Sequence, residues 1–330
     1  MEILILGGTA WLGRELAGQA VARGHAVSCL ARGESGPVAE GATLIRADRR
    51  SPGAYEAASG QAWAAVIEIS WQPGMVREAL AELRHRARHW TYISSGNVYA
   101  SHAARGTDET GELLAPTGRD EVDAALYSEA KVACELACSA AGDGGLLIAR
   151  SGLIGGPGDD SDRTGYWVAR AARDRGGPML VPDAPDAWAQ AIDVRDLARW
   201  VLDCAERQVD GVYDAVGHVI RLDQWIDTSR EVGGHTGPVV RAAPDWLLAQ
   251  GVAEFMGPDS LPLWIADPEM QGFSTRTGDR AQAAGLRRRP VGEMLRDTLK
   301  WEREQGLDRP RKTGISAVRE VELLAALAGS

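Results

Sequence analysis

The chain opens on four consecutive apolar residues, Ile3, Leu4, Ile5 and Leu6, a run that predicts a short strand buried on both faces, as in a parallel sheet. Gly7 and Gly8 break it, and Leu12, Leu16 and Ala20 then recur at helical spacing to about residue 22. The alternation continues, with apolar runs at 25–30, 42–46, 64–69, 90–94 and 146–149 predicting five further strands. Between them Pro73 starts a helix whose apolar face is Val76, Leu80 and Leu83, with Arg77, Glu78, Glu82 and Arg84 outside. Residues 126–136 read as another uninterrupted helix. Strand and helix in strict turn predict an α/β fold, a doubly wound parallel sheet of the Rossmann kind.

Beyond Arg150 the pattern changes. Residues 151–160 are rich in glycine and must leave the sheet as a loop. A helix follows at 166–173, an extended stretch at 178–181 and a strand at 189–192. Asp193 then stands where an N-cap belongs, with Asp196 three residues on, before an amphipathic helix through Cys204. Residues 212–216 are expected to rejoin the main sheet. The division predicted is a dinucleotide-binding domain of residues 1–152 with 187–216, and a smaller mixed α/β substrate domain of 153–186 with 217–306. A C-terminal tail of 307–330 ends in a short helix over 318–328, which could dock on a partner or fray. Residues 101–123, polar and long, suggest a flap facing the substrate.

Composition narrows the function. A formal charge of −10 argues against nucleic acid or an anionic membrane as the main partner. Four cysteines without metal or disulfide spacing suit a reducing cytoplasm. The apolar start is too short for a signal peptide, and no run approaches the roughly 20 residues of a membrane span. His85 and His89 are four apart but lack a third ligand, so no metal is expected and both read as solvated.

Strand, glycine turn and helix together make a cradle for a dinucleotide pyrophosphate at a helix N-terminus, formed by Gly7, Thr9, Ala10, Trp11 and Leu12. An acid at the end of the second strand would select NAD; here Ala31 holds that place and Arg32 follows, favouring NADP, although Glu34 could still reach a ribose. Asp48 could accept from an adenine amino group or cap its own turn, and Arg49 and Ser70 are assigned to the same cleft. Tyr127 and Lys131, four apart, share one helix face. A free phenol is a poor acid–base group at neutral pH, and an ammonium one turn away favours its charged form. The hydroxyl of Ser95, after the fifth strand, would hold a substrate carbonyl as charge develops on its oxygen.

These motifs resemble the short-chain dehydrogenase/reductase superfamily in its extended, epimerase/dehydratase branch. The resemblance covers Met1 to about Trp301 and is carried by residues 7–13, 94–99, Tyr127 with Lys131, and 190–196. It implies that Ser95, four residues before Tyr99, is the active-site hydroxyl, that Tyr127 is the acid/base and that Lys131 positions the nicotinamide ribose. It also implies that the backbone to Ile154 lies by the nicotinamide, that Gln190 lies near the substrate, and that a homodimer would form through the helices after the fourth and fifth strands. Three departures matter. Ala10 replaces the central glycine of the cradle. Gly96-Asn97 replaces the Asp-Glu pair of sugar-nucleotide dehydratases, which disfavours water elimination. Ser151 to Ile154 lack the asparagine that holds a nucleotide sugar.

Asn97, Gln190 and Trp167 are therefore the expected substrate contacts; Trp167, Trp188, Trp246 and Trp264 could form an aromatic wall or the core of the small domain. Arg163 and Arg195 could bind a substrate carboxylate. The expectation is an NAD(P)-dependent reductase acting on a carbonyl of a small molecule, with the corresponding alcohol as the reverse substrate. The alternatives are an epimerase that keeps its NAD and acts on a sugar-like substrate, or a non-catalytic dinucleotide sensor.

Overall fold

The computed structural model describes residues 1–142 and 144–329. Seven parallel strands form the central sheet: β1 (Glu2–Leu6), β2 (Ala26–Ala31), β3 (Thr43–Arg46), β4 (Trp63–Glu68), β5 (Ala87–Ser95), β6 (Gly145–Ser151) and β7 (Gly211–Ala215). Their spatial order is β3-β2-β1-β4-β5-β6-β7. Ile3, Leu4, Ile5 and Leu6 are fully buried, as a strand covered on both faces requires. Each such side chain stabilises the fold by about 1.5–3 kcal/mol. Helices α1 (Trp11–Ala22) and α4 (Val194–Arg207) pack together on one face; α2 (Pro73–Leu83) and α3 (Tyr127–Ala140) pack together on the other. The order reverses between β1 and β4, which opens a crevice above their C-terminal ends.

A second core of Trp167, Trp225, Trp264, Leu295 and Leu323 lies outside this sheet. It gathers a three-stranded sheet (Leu153–Gly155, Trp188–Asp193, His218–Arg221), two two-stranded pairs, and the helices Tyr166–Arg173, Leu222–Gly233 and Val291–Gln305. The strand Trp188–Asp193 belongs to this smaller sheet, so only α4 and β7 of residues 187–216 return to the large one. The terminal segment is no loose tail. Its helix Ala317–Ala328 buries Leu323 in the small core, and the buried Glu320 accepts from Arg170 and from the Leu180 amide. His89 also departs from expectation. It lies in β5, fully buried, with Nε2 3.0 Å from the Val209 carbonyl, and burial lowers its pKa. None of the described helices is long and apolar enough to cross a membrane.

Candidate active site

The turn after β1 is shaped by close approach. A Cβ on Gly8 would lie 2.3 Å from the Cys29 sulfur, and one on Gly13 would lie 2.2 Å from the Gly7 carbonyl oxygen. Only glycine fits either place. Gly7 itself has φ +110°, a left-handed backbone. Ala10 is the N-cap of α1, extended and exposed at the mouth of the cleft, and no side chain caps the helix. The first-turn N–H groups are thus free of side-chain acceptors, which fits an anionic pyrophosphate, and the Ala10 methyl does not close the turn.

A cleft of about 270 Å³ runs from this turn along Arg32 to Ser35, Asp48 to Arg50, Ser70 and Trp71. Arg32 is exposed and pairs with Glu34 at 3.1 Å, so one residue supplies the cation and its neighbour partly masks it. Arg46 donates to the Arg32 carbonyl at 2.7 Å and adds a second cation beside it. Asp48 accepts from the Arg50 amide at 3.0 Å, the local turn that was its other expected use. Arg49 corrects an expectation. Although it borders the cleft, its guanidinium donates to both Glu68 oxygens (2.9 and 2.5 Å), to the Tyr55 hydroxyl and to the Met75 carbonyl. Four of the roughly five guanidinium N–H donors are taken and only one, on Nη1, remains, so Arg49 chiefly braces the end of β4. Ser70 follows that end, its amide held by Glu68 and its carbonyl facing the Tyr92 hydroxyl and Lys131.

A second cavity of about 560 Å³ lies beside the first. Ser95, Asn97 and Tyr127 line it, with Trp11, Ile154, Arg163, Gln190, Phe255, Phe273 and Arg276. The two spaces meet where Trp71, on the first cleft, packs against Tyr127, on the second, with ring centroids 5.5 Å apart. Ser95 caps a short turn, its Oγ accepting from the Asn97 amide at 3.2 Å. Ser94 points away, donating to the buried Glu135, which leaves Ser95 as the hydroxyl on the cavity. The Lys131 ammonium is buried beneath Tyr127, 5.9 Å from its ring centroid. It donates to the Ile93 carbonyl at 2.6 Å and, at 3.4 Å, to those of Ile69 and Ser70, so it is anchored at the ends of β4 and β5.

Three substrate-side expectations change. Trp167 is fully buried and donates to the Pro262 carbonyl at 2.8 Å, so it is core and not wall. Trp264 is buried with it. Gln190 borders the cavity, but its amide is occupied: it donates to the Gly217 and Arg276 carbonyls and accepts from the Arg276 amide. Gln190 therefore positions Arg276, a residue for which the sequence carried no signal. The 101–123 segment does not line the cavity. It ties itself to the Gly272–Thr275 backbone, and Tyr99 beneath it stacks on Arg276, with Cζ 3.3 Å from the ring centroid. Asp214, fully buried, accepts from the Tyr99 hydroxyl, and burial pushes its carboxyl up to about 6. Arg195 pairs with Asp193 and Asp297, outside the cavity.

One further contact spans the site. The Trp11 indole donates to the Pro157 carbonyl at 2.9 Å, joining the cradle to the loop that enters the small domain. Gly158, at φ +88°, makes room for it; a Cβ there would stand 2.8 Å from the indole nitrogen.

No protein-family profile matches the sequence, and no curated protein matches it. Solved structures do match in fold. A protein from Burkholderia cenocepacia, described provisionally as an epimerase, is 22% identical over 92% of this chain and 98% of its own, with a TM-score of 0.71. The UDP-Glc/GlcNAc 4-epimerase of Campylobacter jejuni is 14% identical over 92% and 99%, with a TM-score of 0.68. The UDP-glucose 4-epimerase of Thermus thermophilus, solved in complex with NAD, is 17% identical over 92% and 99%, with a TM-score of 0.67. The fold is thus the doubly wound parallel sheet with a smaller second domain, shared over 92% of this chain.

Proposed function

We propose that this chain is an extended short-chain dehydrogenase/reductase that binds NAD(P) across the glycine turn and acts as an epimerase on a small sugar-like molecule. The observation that carries the reading is the meeting of the two cavities at Tyr127, with Ser95 on the same cavity and Lys131 beneath. A bound nicotinamide would supply a reversible hydride acceptor and donor. Tyr127 would take the proton of a substrate hydroxyl and return it, and the Ser95 hydroxyl would hold the substrate oxygen while it is a carbonyl. Lys131 would hold the phenol's charge and the cofactor ribose, exchanging its two 3.4 Å carbonyl contacts for them.

Net carbonyl reduction, the reading favoured by sequence motifs alone, uses the same residues and differs only in whether the cofactor leaves. Two observations favour return of hydride to the same substrate. The fold is that of structures named as epimerases, and the Trp11–Pro157 contact ties the start of α1 to the loop entering the small domain, a tie that would hinder release of a cofactor seated between them. Arg32 and Arg46 make a 2′-phosphate acceptable, so NADP is favoured and NAD admitted. The test is to denature the purified protein, identify any released dinucleotide, and assay a sugar panel for isomer exchange without accumulation of NAD(P)H. Tyr127→Phe should retain the dinucleotide and lose isomer exchange at least a hundredfold. Full activity in that variant, or stoichiometric cofactor consumption by the wild type, would sink the epimerase reading.

A further inference from the structure

The larger cavity holds a guanidinium whose terminal nitrogens have no direct partner among the described residues. Arg163 is half-buried on its wall. Its Nε donates to Ser161 Oγ at 2.9 Å, and among the described residues its two terminal nitrogens make no hydrogen bond or ion pair. The guanidinium lies 5.7 Å from the Phe255 ring centroid. Burial lowers its proton affinity, with Asp159 and then the Tyr127 phenol as the leading opposing influences. Tyr127 and Arg163 line the same cavity.

The loop that presents Arg163 is closely built. Asp159 is buried, and its two oxygens accept from the Ser161 amide and hydroxyl and from the Thr164 amide and hydroxyl. These neutral donors orient the carboxylate without cancelling its charge. Asp160 is exposed and pairs with Lys312 at 3.0 Å. Asp162 is held at φ 65°, with its carboxylate against Arg309 and the Lys312 amide. Asp159 and Asp160 attract the Arg163 charge from a distance, but none of these acids makes a hydrogen bond or ion pair with its guanidinium. Arg276 borders the same cavity at 2% exposure; its Nη1 pairs with Asp214 at 3.5 Å, and its buried Nε is unpartnered. Cationic donors facing a partly dry cavity are unfavourable until an anion completes them.

We propose that Arg163 receives an anionic oxygen group of the substrate, a carboxylate or a phosphate monoester, and so selects acidic sugar-like molecules over neutral ones. This deepens the functional reading above and rests on it for the word substrate. The planar fork of arginine suits either group in a two-bond geometry.

Glycerol 3-phosphate and glycerate, with glycerol as the uncharged control, are titrated calorimetrically into the full chain at low salt, and NADPH is titrated separately. Saturable binding of at least one anion and none of glycerol is expected, and which anion binds identifies the group. Arg163→Met should weaken that binding roughly tenfold to a hundredfold and leave NADPH affinity unchanged. Arg163→Lys, which keeps the charge without the fork, should fall between, and keeps the test open if the methionine variant does not fold. Absence of anion binding to the wild type, glycerol binding equal to the anions, or unchanged anion affinity in both variants would overturn the assignment. Failure of NADPH binding alone would instead remove the dinucleotide reading and leave the anion site standing.

Discussion

Trp11→Phe isolates the contact that joins the start of α1 to the loop entering the small domain. The substitution keeps an aromatic ring at the start of α1 and deletes the indole N–H that reaches the Pro157 carbonyl at 2.9 Å. A neutral hydrogen bond of this kind contributes about 0.5–1.5 kcal/mol net. The freed carbonyl is only part-buried, so water can satisfy it and little desolvation penalty is added. The smaller ring also gives up contacts with Gly158, worth a few tenths of a kcal/mol. The sum, about 1–2 kcal/mol, corresponds to roughly 5- to 30-fold in a rate if the contact must break before the dinucleotide leaves. The assay is stopped-flow displacement of bound NADPH by excess NADP⁺, followed by nicotinamide fluorescence. Faster dissociation is expected, with association rising alongside it, because a contact that must open for exit must open for entry as well. A dissociation rate within twofold of the wild type would show that the bridge does not retain the cofactor, and would remove one of the two reasons for preferring epimerisation to net reduction.

Arg32→Ala should weaken NADPH relative to NADH by about tenfold, read from paired fluorescence titrations, since a 2′-phosphate loses one exposed charged donor and Arg46 remains; an unchanged ratio would place the phosphate elsewhere. The Asp214 carboxyl, raised to about 6 by burial, binds its proton more tightly folded than unfolded. Its contribution to stability is therefore complete below its ordinary value near 4 and is lost as pH rises through about 6. The loss is about 2–3 kcal/mol. Asp214→Asn should flatten that slope in urea unfolding measured at pH 4.5 and 7, and a wild-type-minus-variant difference independent of pH would refute the assignment. Leu136 is 50% exposed on α3, one of the helices through which the family resemblance would pair two copies. Leu136→Glu should turn a dimer into a monomer in light scattering, an outcome that a monomeric wild type would make meaningless.

Much of the architecture was legible in one dimension because it is local. The apolar runs and their glycine breaks mark strands β1 to β7 in their correct places, since a strand covered on both faces can tolerate few polar residues. Tyr127 and Lys131 share a helix face by their spacing alone, and Ser95 follows β5 directly. What depends on the far side of a side chain was not legible. Arg49 looks like any arginine at a strand end until Glu68, Tyr55 and Met75 surround it. Trp167 and Gln190 sit at the right positions for substrate contacts, yet one is packed into the small core and the other is held by Gly217 and Arg276. Arg276 and Trp71 reach the site through packing across elements that no period connects. The sequence by itself therefore determined the sheet, the cradle and the Tyr–Lys–Ser set, because these follow from hydrophobic periodicity and short spacings. Only the tertiary structure decided which polar groups are already partnered, because hydrogen-bond satisfaction belongs to neighbours brought together by folding, and it is the partners left over, Arg163 and the Arg276 Nε, that define what the cavity can receive.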